Sequence, residues 1–298
     1  MKINKKSALL LVSLLLITIA FWSVDGVGSI AKVLPLFDMK LMIVVGLLFL
    51  GTIVLSFIRI WIILGDFGHK LSFFDVAKAC IAGNIGALFF IPVFGQIAGR
   101  QFYLAKLGVS AVENSAASGY ERVVAGVVSA VFALLGFLYI YDWAVIEGAE
   151  PIKLFIFTVS AALAVIVFYR KIMSVLERQA VKNFTNIRHV FLLLRVVLIV
   201  ALGMILTMLC FALMFGAVLP EVDYLKIVSI AFIVSFLASL PISFGGWGLR
   251  EVSAIFFVVY LGGTSEAGLA ASVFIGLISM AVVLVFYPVL FIGKRVVR

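Results

Sequence analysis

The chain has 298 residues, of which 65% are hydrophobic and 12% charged, with a net charge of +9 and a mean hydropathy of +1.30. A soluble domain carries about 25% charged residues, so this chain cannot cover itself in water, and a soluble domain able to act alone is excluded. The basic residues sit mostly at the ends of apolar runs, where they anchor topology and meet anionic headgroups, so the positive balance does not point to nucleic acid.

From the start, Met1 to Lys6 is basic and Ser7–Trp22 is apolar. No small-x-small cleavage site follows, which predicts an uncleaved first helix rather than a signal peptide. Runs at about 7–23, 41–64, 114–140, 152–170, 190–219 and 266–292 read as full spans. They are continuous rather than alternating, which predicts helices and not barrel strands. Residues 72–108 and 226–262 differ, each being broken near its middle by Pro and Gly. The breaks are Pro92-Val-Phe-Gly95 and Pro241-Ile-Ser-Phe-Gly245-Gly246-Trp-Gly248. Short arms on either side predict helical hairpins that enter the membrane and return on the same side; two short full spans would have the same parity.

Loop charges set the sides. Loop 170–188 carries Arg170, Lys171, Arg178, Lys182 and Arg188 against Glu177, and both termini are basic, so all three are expected in the cytoplasm of a plasma-membrane protein. Segments 141–153 and 220–226 are poor in Lys and Arg and are expected outside. The two broken regions also resemble each other. Pro92, Gly95, Arg100 and Leu107-Gly-Val-Ser110 match Pro241, Gly245-Gly246, Arg250 and Leu261-Gly-Gly-Thr-Ser265, with the prolines 149 positions apart. The expected fold is therefore an all-α polytopic membrane domain over 1–298, with six spans and two broken hairpins. Its halves, about 1–149 and 150–298, form an inverted repeat, the plan in which broken helices build transporter sites.

Charges within such a chain carry the chemistry, since one at mid-membrane costs about 2.5–3.5 kcal/mol. Glu121-Arg122 and Arg250-Glu251 are adjacent pairs, and Arg100 follows the first break. These arginines lie beside helix breaks or starts, where spare N–H groups favour an anion and a guanidinium can grip a phosphate with two parallel bonds. The alternative is mutual neutralisation within structural pairs. Arg195, one to two turns into its helix, reads as interfacial snorkelling. Gly245, Gly246 and Gly248 permit a tight turn and let the backbone approach a headgroup. The small residues Ala79, Ala82, Gly83, Gly86 and Ala87, and the stretch Ser115–Gly119, read as close-packing faces. Cys80 and Cys210 lie in apolar segments and read as core residues. His69 and His189 are isolated at segment ends, so no disulfide, metal or cofactor is expected.

The stretch Pro241-Ile-Ser-Phe-Gly-Gly-Trp-Gly-Leu-Arg-Glu251 resembles the signature of the lysylphosphatidylglycerol synthase transmembrane region, a flippase-like family. The block from Asn84 through Pro92 to Arg100, with Leu107-Gly-Val-Ser110 and Glu121-Arg122, is similar to that family's other signature. Where the family has an acid a few positions before the arginine, this chain has Gln96, Ile97 and Ala98. The resemblance implies the transport half alone, without the soluble aminoacyl transferase domain. It implies translocation of a phospholipid or a polyprenyl-phosphate-linked glycan, with Arg100, Glu121, Arg122, Arg250 and Glu251 lining a headgroup cavity. A membrane glycosyltransferase is the rival, but the outer loops are short, and Asp142, Glu147 and Glu150 read as ordinary solvated charges rather than a catalytic constellation. A non-catalytic subunit working beside envelope glycan or lipid synthesis enzymes is the third alternative.

Overall fold

A computed structural model describes residues 33–89, 92–140, 187–240 and 248–291. The runs 7–23 and 152–170, segment 141–153, most of loop 170–188, both termini, and Pro241, Gly245 and Gly246 lie outside the described residues. Eight α-helices and no strands occur among the described residues. They are α1 (Met39–Asp66), α2 (Phe73–Phe89), α3 (Pro92–Leu104), α4 (Ala111–Ile140), α5 (Ile187–Val218), α6 (Tyr224–Ser239), α7 (Leu249–Tyr260) and α8 (Ser265–Val285).

Four stretches are long and apolar enough to cross a membrane: Met39–Asp66, Ala111–Ile140, Phe191–Val218 and Ser265–Phe291. The other helices are short. At 1.5 Å per residue α4 runs about 45 Å, whereas α2 reaches about 26 Å and α3 about 20 Å. Local chemistry explains the boundaries. Asp38 caps α1, its Oδ1 accepting from Leu41 N at 2.7 Å. Pro92 opens α3, where its missing N–H is no loss. Gly108 (φ +82°) and Gly262 (φ +90°) turn the chain before α4 and α8. Two residues after each, Ser110 and Thr264 cap the next helix, taking bonds from Glu113 N at 3.2 Å and Ala267 N at 3.3 Å. Glu113 returns the gesture by accepting from Ser110 N at 2.8 Å, completing a capping box.

The hairpins open at opposite ends of the bundle. At one end are the loops 67–72 and 105–110: Trp61 Nε1 donates to Leu71 O at 3.0 Å, and His69 Nε2 lies 3.1 Å from Glu113 Oε1. His69, read from sequence as isolated, therefore joins the start of α4. At the other end Tyr139 OH donates to Asp223 Oδ2 at 3.4 Å, and a Cβ on Gly263 would meet Leu219 at 2.8 Å. Helices α2 and α3 thus leave and return at the first end, and α6 and α7 at the second.

Helix α1 packs along α5, α4 along α6, α2 against α3 and α7 against α8. One apolar cluster gathers Phe57, Ile60, Val76 and Val196 towards the first end. Another gathers Phe137, Phe215, Phe236 and Phe257 towards the second. Outward, Leu47, Phe94, Leu198 and Leu202 are exposed, an apolar surface suited to lipid rather than water. The expected small-residue face is present. A Cβ on Gly86 would stand 2.3 Å from Gly95 O, and one on Gly99 2.3 Å from Ala82 O. Gly95, read as part of the first break, lies instead within α3, because the helix begins at Pro92 and needs Gly95 for contact with α2.

Candidate functional site

Each short returning helix delivers an arginine to the helix that follows it. On α3, Arg100 is 1% exposed and Nη1 donates to Ser118 Oγ of α4 at 3.2 Å. Its Nη1 and Nη2 also reach Glu121 Oε2 at 3.4 and 3.3 Å. Glu121 is buried, and its other oxygen accepts from Arg59 Nη2 of α1. Below this group Ser118 Oγ donates to Asn114 O at 2.8 Å, and Asn114 Nδ2 to Ile97 O at 3.0 Å, so α3 and α4 are stitched by polar bonds.

The second centre is built on α7 and α8. Gly248 starts α7 with φ +94°, a conformation that favours glycine, and its N–H donates to Glu251 Oε2 at 2.5 Å. Glu251 Oε1 accepts from Arg250 Nη2 at 2.7 Å and Nε at 2.9 Å. Ser272 Oγ of α8 lies 3.2 Å from both Glu251 Oε1 and Arg250 Nε. Arg250, Glu251, Ser253 and Ser272 are all buried. Ser118 and Ser272 each occupy the eighth position of their helices, which begin at Ala111 and Ser265.

Of the residues singled out from sequence, the structure brings Arg100 and Glu121 together, and Arg250 and Glu251 together. It does not pair Glu121 with Arg122. Neighbours on a helix project about 100° apart, and Arg122, exposed, donates through Nη2 to Gln96 Oε1 of α3 at 2.6 Å. The two centres stand on different helices, and no described bond joins them. Arg59 and Ser272 were not singled out from sequence, Ser118 was read only as part of a close-packing stretch, and Gln96 only as a neutral residue before Arg100. Arg59 had a signal, since it is the only charge in the run 41–64. The serines had none, because Ser is common in such helices. Arg195 is exposed and lines a cleft of about 490 Å³ with Trp61, Ile62, Gly65, Asp66, Phe191 and Leu192, where α1 ends and α5 begins. Cys80 and Cys210 are free and buried, and the latter's Sγ lies 3.7 Å from Val45 O.

Such centres can hold helices in place or receive an anion. The guanidinium groups present fixed donors, several of which the serines and carboxylates engage. The family model described as Lysylphosphatidylglycerol synthase TM region matches residues 8–286. No curated protein and no solved structure matches the chain.

Proposed function

The chain belongs to the lysylphosphatidylglycerol synthase TM region family, integral membrane proteins tied to lipid and envelope function, and from that premise we propose that it moves a phosphate-bearing lipid between leaflets. The substrate is a phospholipid or a polyprenyl-phosphate-linked glycan. The residues that meet its path are Arg100, Glu121 and Arg122 in the first half, and Arg250, Glu251 and the glycines Gly245 and Gly246 in the second. The chain acts as a transporter rather than an enzyme, in the plasma membrane, with both termini in the cytoplasm.

One observation carries this reading: both halves use one device from opposite ends. A short helix returns to its own side, sets an arginine against the serine at the eighth position of the next helix, and is followed by a left-handed glycine and a hydroxyl cap. Contacts follow the same exchange, α1 to α4 matching α5 to α8: α1 with α2 as α5 with α6, and α4 with α5 as α8 with α1. That pattern supports an inverted repeat of six spans and two hairpins, the design in which a rocking half exposes a central site alternately to each side.

The test is translocation by the purified chain in vesicles holding labelled phosphatidylglycerol or a labelled polyprenyl phosphate. Exchange at least tenfold faster than in empty vesicles is expected for one of them. Rates equal to empty vesicles for both, or sugar transfer from a lipid-linked donor without exchange, would overturn the proposal.

A further inference from the structure

The two arginine centres are alike in placement and unlike in charge. At the second, one guanidinium faces one carboxylate, and both Glu251 oxygens are engaged, by Arg250, Ser272 and Gly248. At the first, Arg59 and Arg100 share the single carboxylate of Glu121, and Arg122 beside it reaches only the neutral Oε1 of Gln96. Two guanidinium groups therefore hold one carboxylate, a third stands on the adjoining residue, and no second carboxylate bonds any of the three among the described residues. The donors are also underused: Nε of Arg100 and Nε of Arg59 are buried without a hydrogen-bond partner. The Arg59 side chain remains 15% exposed and Arg122 is exposed, so the centre opens outward on that side.

Depth sharpens the point. Arg59 is seven residues from the end of α1 and Arg122 eleven from the start of α4, about 10 and 16 Å along their helices. An excess of positive charge at that depth is costly unless an anion completes it. Guanidinium groups at such a place favour a phosphate, whose oxygens can take paired donors from more than one arginine.

We propose that Arg59, Arg100 and Arg122 form the seat of the lipid phosphate, with Glu121 as the resident counter-ion that the phosphate displaces. The assignment rests on the translocation reading above and narrows it to one half of the molecule. The Arg250–Glu251–Ser272 centre, one cation against one carboxylate among the described residues, holds α7 on α8 and lines the lipid's path without seating its phosphate. Glu121 keeps the arginines gathered when the seat is empty and competes with the phosphate when it is full. The competition sets how readily the lipid leaves.

Binding of phosphatidylglycerol, a polyprenyl phosphate and inorganic phosphate to the full chain in detergent would be measured by calorimetry, beside vesicle exchange. Arg122→Gln, at an exposed side chain, should fold and weaken lipid binding at least tenfold. Glu121→Gln, which removes the competitor and keeps the shape, should tighten it at least threefold and slow exchange. Arg195→Gln, outside the seat, should leave affinity within twofold. Unchanged lipid affinity in folded Arg122→Gln and Glu121→Gln would overturn the proposal. So would binding of inorganic phosphate with no binding of either lipid, since a free anion would then be the ligand. A chain that binds lipid through these arginines yet exchanges none keeps the seat and loses the transport reading. Exchange and binding that persist unchanged in folded Arg122→Gln keep the transport reading and remove the seat.

Discussion

Gly95 shows how little room the first hairpin has. A Cβ there would stand 2.2 Å from Gly86 O and 2.6 Å from Gly86 C, both backbone atoms that cannot turn aside. Gly95→Ala should therefore force α2 and α3 apart, and overpacking of this kind costs typically about 1–3 kcal/mol. The melting temperature in detergent should fall. Gly216→Ala, in the last turn of α5, meets nothing within 4 Å and should hold or slightly raise it, since Ala loses less backbone freedom than Gly on folding. Equal melting temperatures for the two variants would refute the seam. Residue type made the small-residue face readable in α2. It could not separate a glycine that bends the chain from one that admits a neighbour, which is why Gly95 read as a break. Arg59 was readable as a lone charge, but its partner Glu121 lies 62 positions away, and no local pattern carries that distance.

At the scale of elements, the short helices were readable because Pro, Gly and short arms are local signals. Their arginines were readable as charges in apolar surroundings. The pairing was readable for one adjacent pair and not for the other. Glu121 and Arg122 are adjacent and diverge, whereas Arg250 and Glu251 are adjacent and converge, because Glu251 is drawn back to cap Gly248 in the first turn of α7. What makes α3 and α7 comparable is the serine that receives each arginine. Ser272 touches both members of its ion pair, while Ser118 touches Arg100 alone. A hydrogen bond to a charged group contributes about 1.5–3 kcal/mol, offset by roughly 0.5 kcal/mol of helix propensity gained on changing Ser to Ala. Both Ser118→Ala and Ser272→Ala should therefore unfold at lower temperature, with Ser272→Ala the more affected. A variant pair as stable as the parent would show that neither serine helps to hold its returning helix.

For the whole molecule, the Lys and Arg distribution predicted parity, and the described helices give it a geometry. Lys106 sits beside the start of α4, and Glu221 beside its far end, where Tyr139 meets Asp223. Both are exposed. In a background lacking Cys80 and Cys210, Lys106→Cys should label from the cytoplasmic side and Glu221→Cys from outside. Labelling of both from one side would refute the topology. Composition alone established the class, because so few charges cannot clothe a chain of this length in water. The packing of the halves was beyond sequence, since it depends on which apolar faces meet, and nearly every face here is apolar.

The glycine seam has a mechanical consequence. Helix α3 lies backbone to backbone on α2 but meets α4 through fewer, polar contacts, whereas α7 is pressed on α8, where a Cβ on Gly268 would meet Ile255 Cα at 2.8 Å. The stiff unit in the first half is therefore the hairpin itself. In the second half it is the returning helix with its long neighbour. The two returning helices are thus held along different lines: a rigid displacement of α2 would carry α3 with it, whereas one of α8 would carry α7.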